Sequence, residues 1–263
     1  MAASPVKHVV FPSVLTLAGS WRHPAEVHLC DGTTHEKLFR KSVYLGVFGK
    51  GLLGRGSGFQ LHHGPSKDDP ILGAVGDKTP GQTKAFYCDP DSVIIIPQYG
   101  SQGSDSTQSS TTFMTATSVP SPCAEDGGRR SVFEFSVETG IGMKRETFQW
   151  RQIEKGDDMA TASLGGFKLV RAAAADNADK DSHEDTLALL KWNRGWLGLP
   201  SAFSMEPGTL HFVGDGDQAQ LGHRWALMAV LTAVRLLDMY MLGRTSAKAI
   251  EEAKMVSEHL WVA

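Results

Sequence analysis

The hydrophobic positions in the first hundred residues fall in short runs that turn residues separate. The runs are rich in Val, Ile, Leu and Phe, which favour extended backbone, and Gly, Pro and Asp interrupt them. This spacing predicts many β-strands joined by tight connections. The predicted strands are Val27–Cys30, Leu38–Phe48, Gly58–His62, Ile71–Val75 and Ser92–Pro97.

Alternation of apolar and polar residues continues in the second half of the chain. In Val132–Val137 the aromatic and aliphatic side chains share one face and Glu134 and Ser136 the other, which predicts a half-buried strand. In Glu146–Gln152 the same period places Phe148 and Trp150 on the inward face. Three further strands are predicted at Phe167–Arg171, Thr186–Trp192 and Thr209–Val213.

One long polar stretch interrupts this pattern. Residues 100–112 contain no apolar side chain, so they cannot bury enough surface to offset the entropy lost on ordering. We expect Gly100–Arg130 to be a mostly disordered insertion, with Phe113–Val119 as a strand that could form within it.

The last fifth of the chain has helical periodicity. Asp217 followed by Gln220 resembles a helix N-cap with its capping box, and Gly243 resembles the residue that ends a helix. Within the predicted helix, 15 of the 19 residues from Arg224 to Leu242 are apolar. A helix that is apolar almost all round is buried in a protein or in a membrane.

Two charged residues favour the protein interior over the bilayer. Arg235 and Asp238 would each cost about 2.5–3.5 kcal/mol near the centre of a membrane, whereas each Leu or Val contributes only about 0.3–0.6 kcal/mol. In a protein the two side chains can reach the end of a barrel, where water or each other satisfies them. We therefore predict a core helix, followed by an amphipathic surface helix at Ser246–Leu260.

These elements predict a mainly β fold: a closed barrel of about 10–12 strands around a hydrophobic C-terminal helix, with a short surface helix. The predicted domain organisation is an N-terminal extension (1–26), the barrel with its core helix (27–243) and the C-terminal surface helix (244–263).

Composition excludes several functional classes. The net charge of −3 and the pI near 6.4 argue against a nucleic-acid partner, so any contact with a polyanion must be local. Cys30, Cys88 and Cys123 form neither a CxxC pair nor a zinc pattern, which is typical of reduced thiols in the cytoplasm. The apolar residues 9–18 are interrupted by Pro12 and lack a cleavage site, so a cytoplasmic protein that can associate peripherally with membranes is expected.

Candidate catalytic and cofactor motifs lack the context that their chemistry needs. Gly49–Gly54 matches GxGxxG, but a strand rather than a helix is predicted after it, so no helix N-terminus is available for a pyrophosphate. His62 and His63 are adjacent in a strand and point to opposite faces, so they cannot share a metal without distortion. We predict no catalytic residue, no metal and no cofactor.

Local sequences resemble the tubby C-terminal-like family, which comprises tubby domains, phospholipid scramblases and LURP-one-related proteins. The resemblance rests on Leu38–Leu45 and Leu61–Leu72, which are similar to an early hairpin of uncharacterised members, and on Arg145–Arg151, which is similar to their central strand. It covers about Val27 to Gly243 and implies a strand barrel threaded by the C-terminal helix. No calcium-binding or membrane-inserting segment of the scramblase type is recognisable, so scramblase activity is not implied.

A basic segment carries the leading functional hypothesis. Six cations and no acid occur between positions 37 and 67. They could share one barrel rim, or they could alternate outward on several strands and simply be solvated. The candidate ligand-binding residues are Lys37, Arg40, Lys41, Lys50, Arg55 and Lys67.

The leading hypothesis is a non-enzymatic binding or scaffold module that engages an anionic phospholipid head group or a phosphorylated partner. Each Lys or Arg near an anionic surface contributes about 1 kcal/mol. The resemblance implies the same ligand class, because tubby domains are phosphoinositide binders. The alternative is an enzyme or small-molecule carrier, which would need convergent polar groups in a pocket beside the core helix.

Overall fold

Twelve antiparallel strands form a closed barrel. The computed structural model describes residues 9–19, 26–45, 52–54, 56–78, 89–97, 109–121, 127–140, 142–153, 165–172, 185–193, 206–214 and 220–260. The strands are β1 Val14–Gly19, β2 Glu26–Asp31, β3 Lys37–Tyr44, β4 Gly58–His62, β5 Ile71–Asp77, β6 Ser92–Pro97, β7 Ser109–Pro120, β8 Arg129–Thr139, β9 Lys144–Gln152, β10 Gly166–Arg171, β11 Thr186–Trp192 and β12 Gly208–Phe212.

The topology is a simple meander. Each strand pairs with its neighbours in sequence, and β1 closes the barrel by pairing with β12, with Leu15 opposite Leu210. Two helices follow, α1 His223–Met241 and α2 Ala247–Leu260. The predicted fold class is confirmed.

The first helix fills the barrel. Fourteen of the 19 residues of α1 are buried, and twelve of these belong to one core cluster with the inward side chains of the strands. Side chains alone fill a barrel of about eight strands, so twelve strands leave room for a helix. Gly73 on β5 lets α1 approach closely, because a Cβ there would lie 2.7 Å from Leu231 Cδ1. The predicted core helix is confirmed, and no helix among the described residues is long and apolar enough to cross a membrane.

The two charged side chains of α1 are held by strands rather than by each other. Arg235 donates to Asp77 Oδ1 at 2.6 Å and to Ser92 Oγ at 2.9 Å. Asp238 accepts from Lys41 of β3. We expected water or their mutual contact to satisfy Arg235 and Asp238. Instead, two separate ion pairs tie α1 to β5 and β3, which lie on either side of β4.

The end of α1 follows the predicted signal. Gly243 has a φ of +69°, a left-handed conformation that glycine adopts without strain, and its N–H donates to the carbonyl oxygen of Tyr240. The helix begins at His223, and the predicted N-cap Asp217 lies outside the described residues.

The second helix packs on the outside of β7 and β8. Ile250 and Ala253 are buried there, and Glu251 accepts from Ser118 Oγ and pairs with Arg129. The predicted surface helix is therefore confirmed, with a start one residue later than expected.

Two predicted boundaries are corrected. The strand β1 lies within the predicted N-terminal extension, and β7 lies within the predicted insertion. The polar residues Ser109–Thr112 are extended because β6 pairs with them, while Met114 and Ala116 of the same strand point into the core. The other parts of the predicted insertion, residues 100–108 and 122–126, lie outside the described residues.

Val234→Asp should abolish folding. Val234 is 1% exposed inside the barrel, so the new carboxylate would be buried without a partner, at a cost of several kcal/mol against a total stability of about 5–15 kcal/mol. Circular dichroism and the midpoint of urea unfolding measure the effect. The control is Met241→Asp at the exposed last residue of α1, which should leave the midpoint nearly unchanged. A Val234→Asp protein with a native spectrum and midpoint would contradict the interior position of α1.

Candidate anion-binding surfaces

The structure separates the six basic residues that the sequence groups together. Lys37 and Lys67 are exposed, Arg40 is half-buried and Lys41 is buried. Lys50 and Arg55 lie outside the described residues. The four described residues do not share one rim, and only three of them face outward.

Lys41 belongs to the barrel interior. It is 5% exposed, its ammonium group pairs with Asp238 of α1, and its Nζ lies 5.3 Å from the centroid of the Phe59 ring. Alternation along β3 puts Phe39 and Lys41 on the inner face and Arg40 on the outer face. Lys41 is thus a structural residue, and its assignment as a ligand contact is corrected.

Arg40 lies at the centre of a row of basic side chains on the outer wall of β2, β3 and β4. The pairing register places His28 directly opposite Arg40, and Arg40 directly opposite His62. Both imidazoles are buried, at 8% and 4% exposure. The Nε2 atom of His62 is shielded from solvent and has no hydrogen-bond partner among the described residues.

A β-bulge brings Lys37 to the same wall. The register of β2 and β3 shifts between Leu29 and Cys30, so Cys30 lies opposite Lys37. Because Leu29 faces the core, Cys30 and its partner Lys37 face outward. Burial raises the pKa of the Cys30 thiol, and the nearby Lys37 ammonium group partly opposes this shift.

The connection that carries Lys67 folds over this row. The two imidazoles bind backbone carbonyl oxygens of this connection, His28 through Nε2 to Pro65 at 3.2 Å and His62 through Nδ1 to Asp69 at 3.0 Å. Gly64 has a φ of +150°, and a Cβ there would lie 2.2 Å from a carboxylate oxygen of Asp69. The loop is therefore anchored on the outer wall and holds Lys67 beside it.

The wall around Arg40 carries little net charge. Glu36 and Asp68 are exposed next to Lys37 and Lys67, and the Asp69 carboxylate accepts from the backbone N–H of Ser66. These acids lie just beside the cations. The excess of positive charge on this wall is therefore smaller than the acid-free sequence between positions 37 and 67 suggests.

A second basic surface lies on the other side of the barrel. Five basic side chains lie on the outer face of five consecutive strands, and each neighbours the next directly or diagonally in the pairing register. We call this set the cationic belt; it comprises Arg130 of β8, Arg151 of β9, Lys168 of β10, Lys191 of β11 and His211 of β12. All five side chains are half-buried.

Like charges are neighbours in the pairing register along the belt. Arg151 is directly opposite Lys168, an arrangement that destabilises a sheet. Burial, and then the positive charge of Arg130, lower the pKa of Arg151. Burial, and then the charge of Lys191, lower the pKa of His211. Arg151 and His211 therefore each lie next to a like charge.

Hydrogen bonds orient the guanidinium group at the centre of the belt. Arg151 donates from Nε and Nη2 to the side-chain oxygen of Gln149, at 2.9 and 2.7 Å. The amide of Gln149 in turn donates to Glu134 at 2.7 Å. Gln149 therefore bridges Arg151 to Glu134 and fixes the guanidinium plane of Arg151.

Sequence reasoning missed the belt because its members are far apart along the chain. Successive belt residues are 17–23 positions apart, and each strand supplies one of them. The only signal in the sequence is that alternation places each of these cations on the outer face of its own strand. In β9, for example, Trp150 faces inward and the next residue, Arg151, faces outward.

The structure also separates the adjacent histidines. The ring of His63 stacks on Phe39, 6.2 Å between centroids, whereas His62 binds the loop on the outer wall. In the described part of the chain, no three His, Cys, Asp or Glu side chains are grouped so that they could hold a metal ion.

The Lys41–Asp238 pair should behave as a structural ion pair. Lys41→Met leaves the Asp238 carboxylate, 19% exposed, without its partner and should lower the free energy of unfolding by about 1–3 kcal/mol. The double variant Lys41→Met with Asp238→Leu should recover most of this loss, because no buried charge is left unpaired. Urea unfolding of the single and double variants measures both effects, and a single variant as stable as the wild type would contradict this role.

His211 should make stability depend on pH. The unfolded protein binds a proton at the ordinary histidine pKa of about 6.5, whereas the pKa of His211 in the folded protein is lower. Between these values the unfolded state binds more protons, so the free energy of unfolding should fall as the pH drops below about 6.5. The urea midpoint of the wild-type protein should decrease from pH 8 to pH 5. The decrease should be smaller in His211→Gln, and the control His35→Asn, at an exposed site, should show the wild-type decrease. Equal decreases in all three proteins would refute the assignment.

The chain as a whole has no match among protein-family models, curated proteins or solved structures. The arguments for its function therefore depend on the geometry and the charges of the described residues.

Proposed function

We propose that this protein is a non-enzymatic binding module that engages a phosphate-bearing ligand through the cationic belt. The observation that carries the proposal is the row of five neighbouring basic side chains on consecutive strands, with Arg151 directly opposite Lys168. The phosphate can belong to a lipid head group or to a soluble or protein-borne group, and the chemistry of recognition is the same.

The electrostatics of the belt favour an anion. A phosphate group over the belt would be attracted by several neighbouring positive charges. Arg151 suits a phosphate because its planar guanidinium group can donate two parallel hydrogen bonds, and its bonds to Gln149 already hold it in place. The lysines contribute point charges on either side.

The location of the polar groups favours a binding module over the alternative of an enzyme or carrier. An enzyme or a carrier needs convergent polar groups in a concave site. Beside α1 the charged side chains Arg235, Asp238 and Lys41 are engaged in ion pairs, whereas the belt lies on the convex outer wall. The wall around Arg40 remains a second, weaker candidate, because acids lie next to Lys37 and Lys67.

We also propose that the chain is a member of the tubby C-terminal-like family. The fold that the resemblance implies, a strand barrel threaded by a C-terminal helix, agrees with the twelve strands around α1, which supports the assignment. The phosphoinositide binding of tubby domains supports a phosphate-bearing ligand by analogy. A cytoplasmic protein that associates peripherally with membranes follows from the same proposal.

Paired charge-removing variants test which surface binds phosphate. Wild-type protein should bind soluble inositol hexakisphosphate in calorimetry, or co-sediment with vesicles that carry phosphatidylinositol 4,5-bisphosphate but not with neutral vesicles. The double variant Arg151→Gln with Lys168→Gln should weaken binding at least about tenfold, because two charge-assisted contacts are lost. Binding should also weaken as salt shortens the Debye length from about 10 Å at 0.1 M to about 3 Å at 1 M.

The matched control is Lys37→Gln with Lys67→Gln, which changes the net charge by the same amount on the other wall. It should retain nearly full affinity. If this control loses binding and the belt variant does not, the ligand site is the wall around Arg40. If wild-type protein with a native circular dichroism spectrum binds neither inositol hexakisphosphate nor the phosphoinositide vesicles, the proposed function is refuted.

A further inference from the structure

The end of the barrel at which α1 terminates exposes apolar side chains. Four residues there are between 38% and 66% exposed: Val43 and Leu45 at the end of β3, and Met241 and Leu242 at the end of α1. We call this set the apolar tip. Single exposed aliphatic residues are ordinary, whereas a contiguous group of them marks a contact surface.

The direction of α1 brings both parts of the tip to the same end of the barrel. Gly73 of β5 is approached by Leu231 of α1. Asp77, four residues further along β5, pairs with Arg235, which is four residues further along α1, so the two elements run parallel. The strand β3 also runs parallel to β5, because both are antiparallel to β4. The C-terminal ends of β3 and α1 therefore lie together.

The Lys41–Asp238 ion pair places the two parts of the tip next to each other. Val43 is two residues beyond Lys41 on the same face of β3, which moves it about 6.6–6.8 Å toward the end of the barrel. Leu242 is four residues beyond Asp238 on nearly the same face of the helix, which moves it about 6 Å in the same direction. Both side chains extend past the ion pair together, so the tip is one continuous surface.

The tip is held in a fixed position. The ring of Tyr240 stacks on Trp192 of β11, with 4.2 Å between the ring centroids. The N–H of Leu242 donates to the carbonyl oxygen of Asp238, and the N–H of Gly243 donates to that of Tyr240. Met241 and Leu242 are therefore presented by a closed helix end that packs on the barrel wall.

Basic residues follow the tip directly along the chain. Arg244 comes two residues after Leu242, and Lys248 lies in the first turn of α2 with its side chain exposed. Lys248 lies 3.9 Å from Glu252, in an exposed pair of the kind that contributes little. Aliphatic side chains flanked by Lys and Arg are the combination that binds the surface of an anionic bilayer.

We propose that the apolar tip inserts into the interface of an anionic membrane, with Arg244 and Lys248 against the lipid head groups. A second copy of this chain fits the tip less well, because a stable protein interface buries about 800 Å² and about 20–30 residues of each partner. A bilayer needs no such area, since each aliphatic side chain that leaves water for hydrocarbon contributes separately. The inference does not depend on the cationic belt and adds a membrane contact at another surface.

Sedimentation with vesicles tests the tip through substitutions that leave the net charge unchanged. Wild-type protein should co-sediment with vesicles of equal parts phosphatidylserine and phosphatidylcholine, and hardly at all with pure phosphatidylcholine. The variant Leu45→Gln with Leu242→Gln should bind at least about tenfold more weakly, because two apolar side chains no longer enter the bilayer.

The matched control is Val10→Gln with Met143→Gln. Both residues are exposed and apolar, and the alternating strand directions place them at the opposite end of the barrel. This control should bind within about twofold of the wild type. If circular dichroism shows that the tip variant is unfolded, the single variant Met241→Gln provides the same comparison and should bind more weakly than the wild type.

The outcomes separate this inference from the proposed function. Equal vesicle binding by the tip variant and the wild type would overturn the tip as the membrane contact. Wild-type protein that binds inositol hexakisphosphate but not phosphatidylserine vesicles would also overturn it and leave the proposed function standing. A tip variant that loses vesicle binding but keeps inositol hexakisphosphate binding would support both. A wild-type dimer in sedimentation velocity that the tip variant dissociates would assign the tip to a second copy and overturn the membrane assignment.

Discussion

The interior volume of a twelve-strand closed barrel is the constraint on which the rest of this structure depends. Strand side chains fill a barrel of about eight strands, and twelve leave a space that must hold something else. Here α1 fills it, so the helix and the wall fold around one shared core. Two ion pairs fix the rotation of the helix in this space, since Arg235 reaches Asp77 of β5 and Asp238 reaches Lys41 of β3.

This packing decides which polar residues are accessible to a ligand. Charged residues of the inner wall pair with the charged side chains of α1. Lys41, which follows Arg40 in the sequence, is therefore part of the core, where it pairs with Asp238. Recognition is left to the outer wall, where closure removes free strand edges and leaves only side chains to contact a partner. The cationic belt is a row of five basic side chains on this outer wall.

The two outer surfaces differ in how their charge is balanced. Around Arg40, imidazoles of His28 and His62 bind the backbone of the 63–70 loop, and acids lie near the lysines. On the belt, Arg151 faces Lys168 directly, and Gln149 bridges Arg151 to Glu134. Salt and protonation should therefore act on the belt more strongly, because His211 adds a charge next to Lys191 when it is protonated.

The sequence by itself determined the elements whose signal is local. Alternation identified strands such as β8 and β9, and fifteen apolar residues among nineteen identified α1 as a buried helix. It failed for Ser109–Thr112, because residues that are polar on both faces show no alternation, and pairing with β6 keeps them extended. Only the tertiary structure decided the candidate site. The register of the closed sheet brings together Arg130, Arg151, Lys168, Lys191 and His211, which are 17–23 positions apart in sequence, and it turns Lys41 inward to Asp238, 197 positions away. Local periodicity determines the face on which a side chain lies, and the pairing of distant strands determines its neighbours.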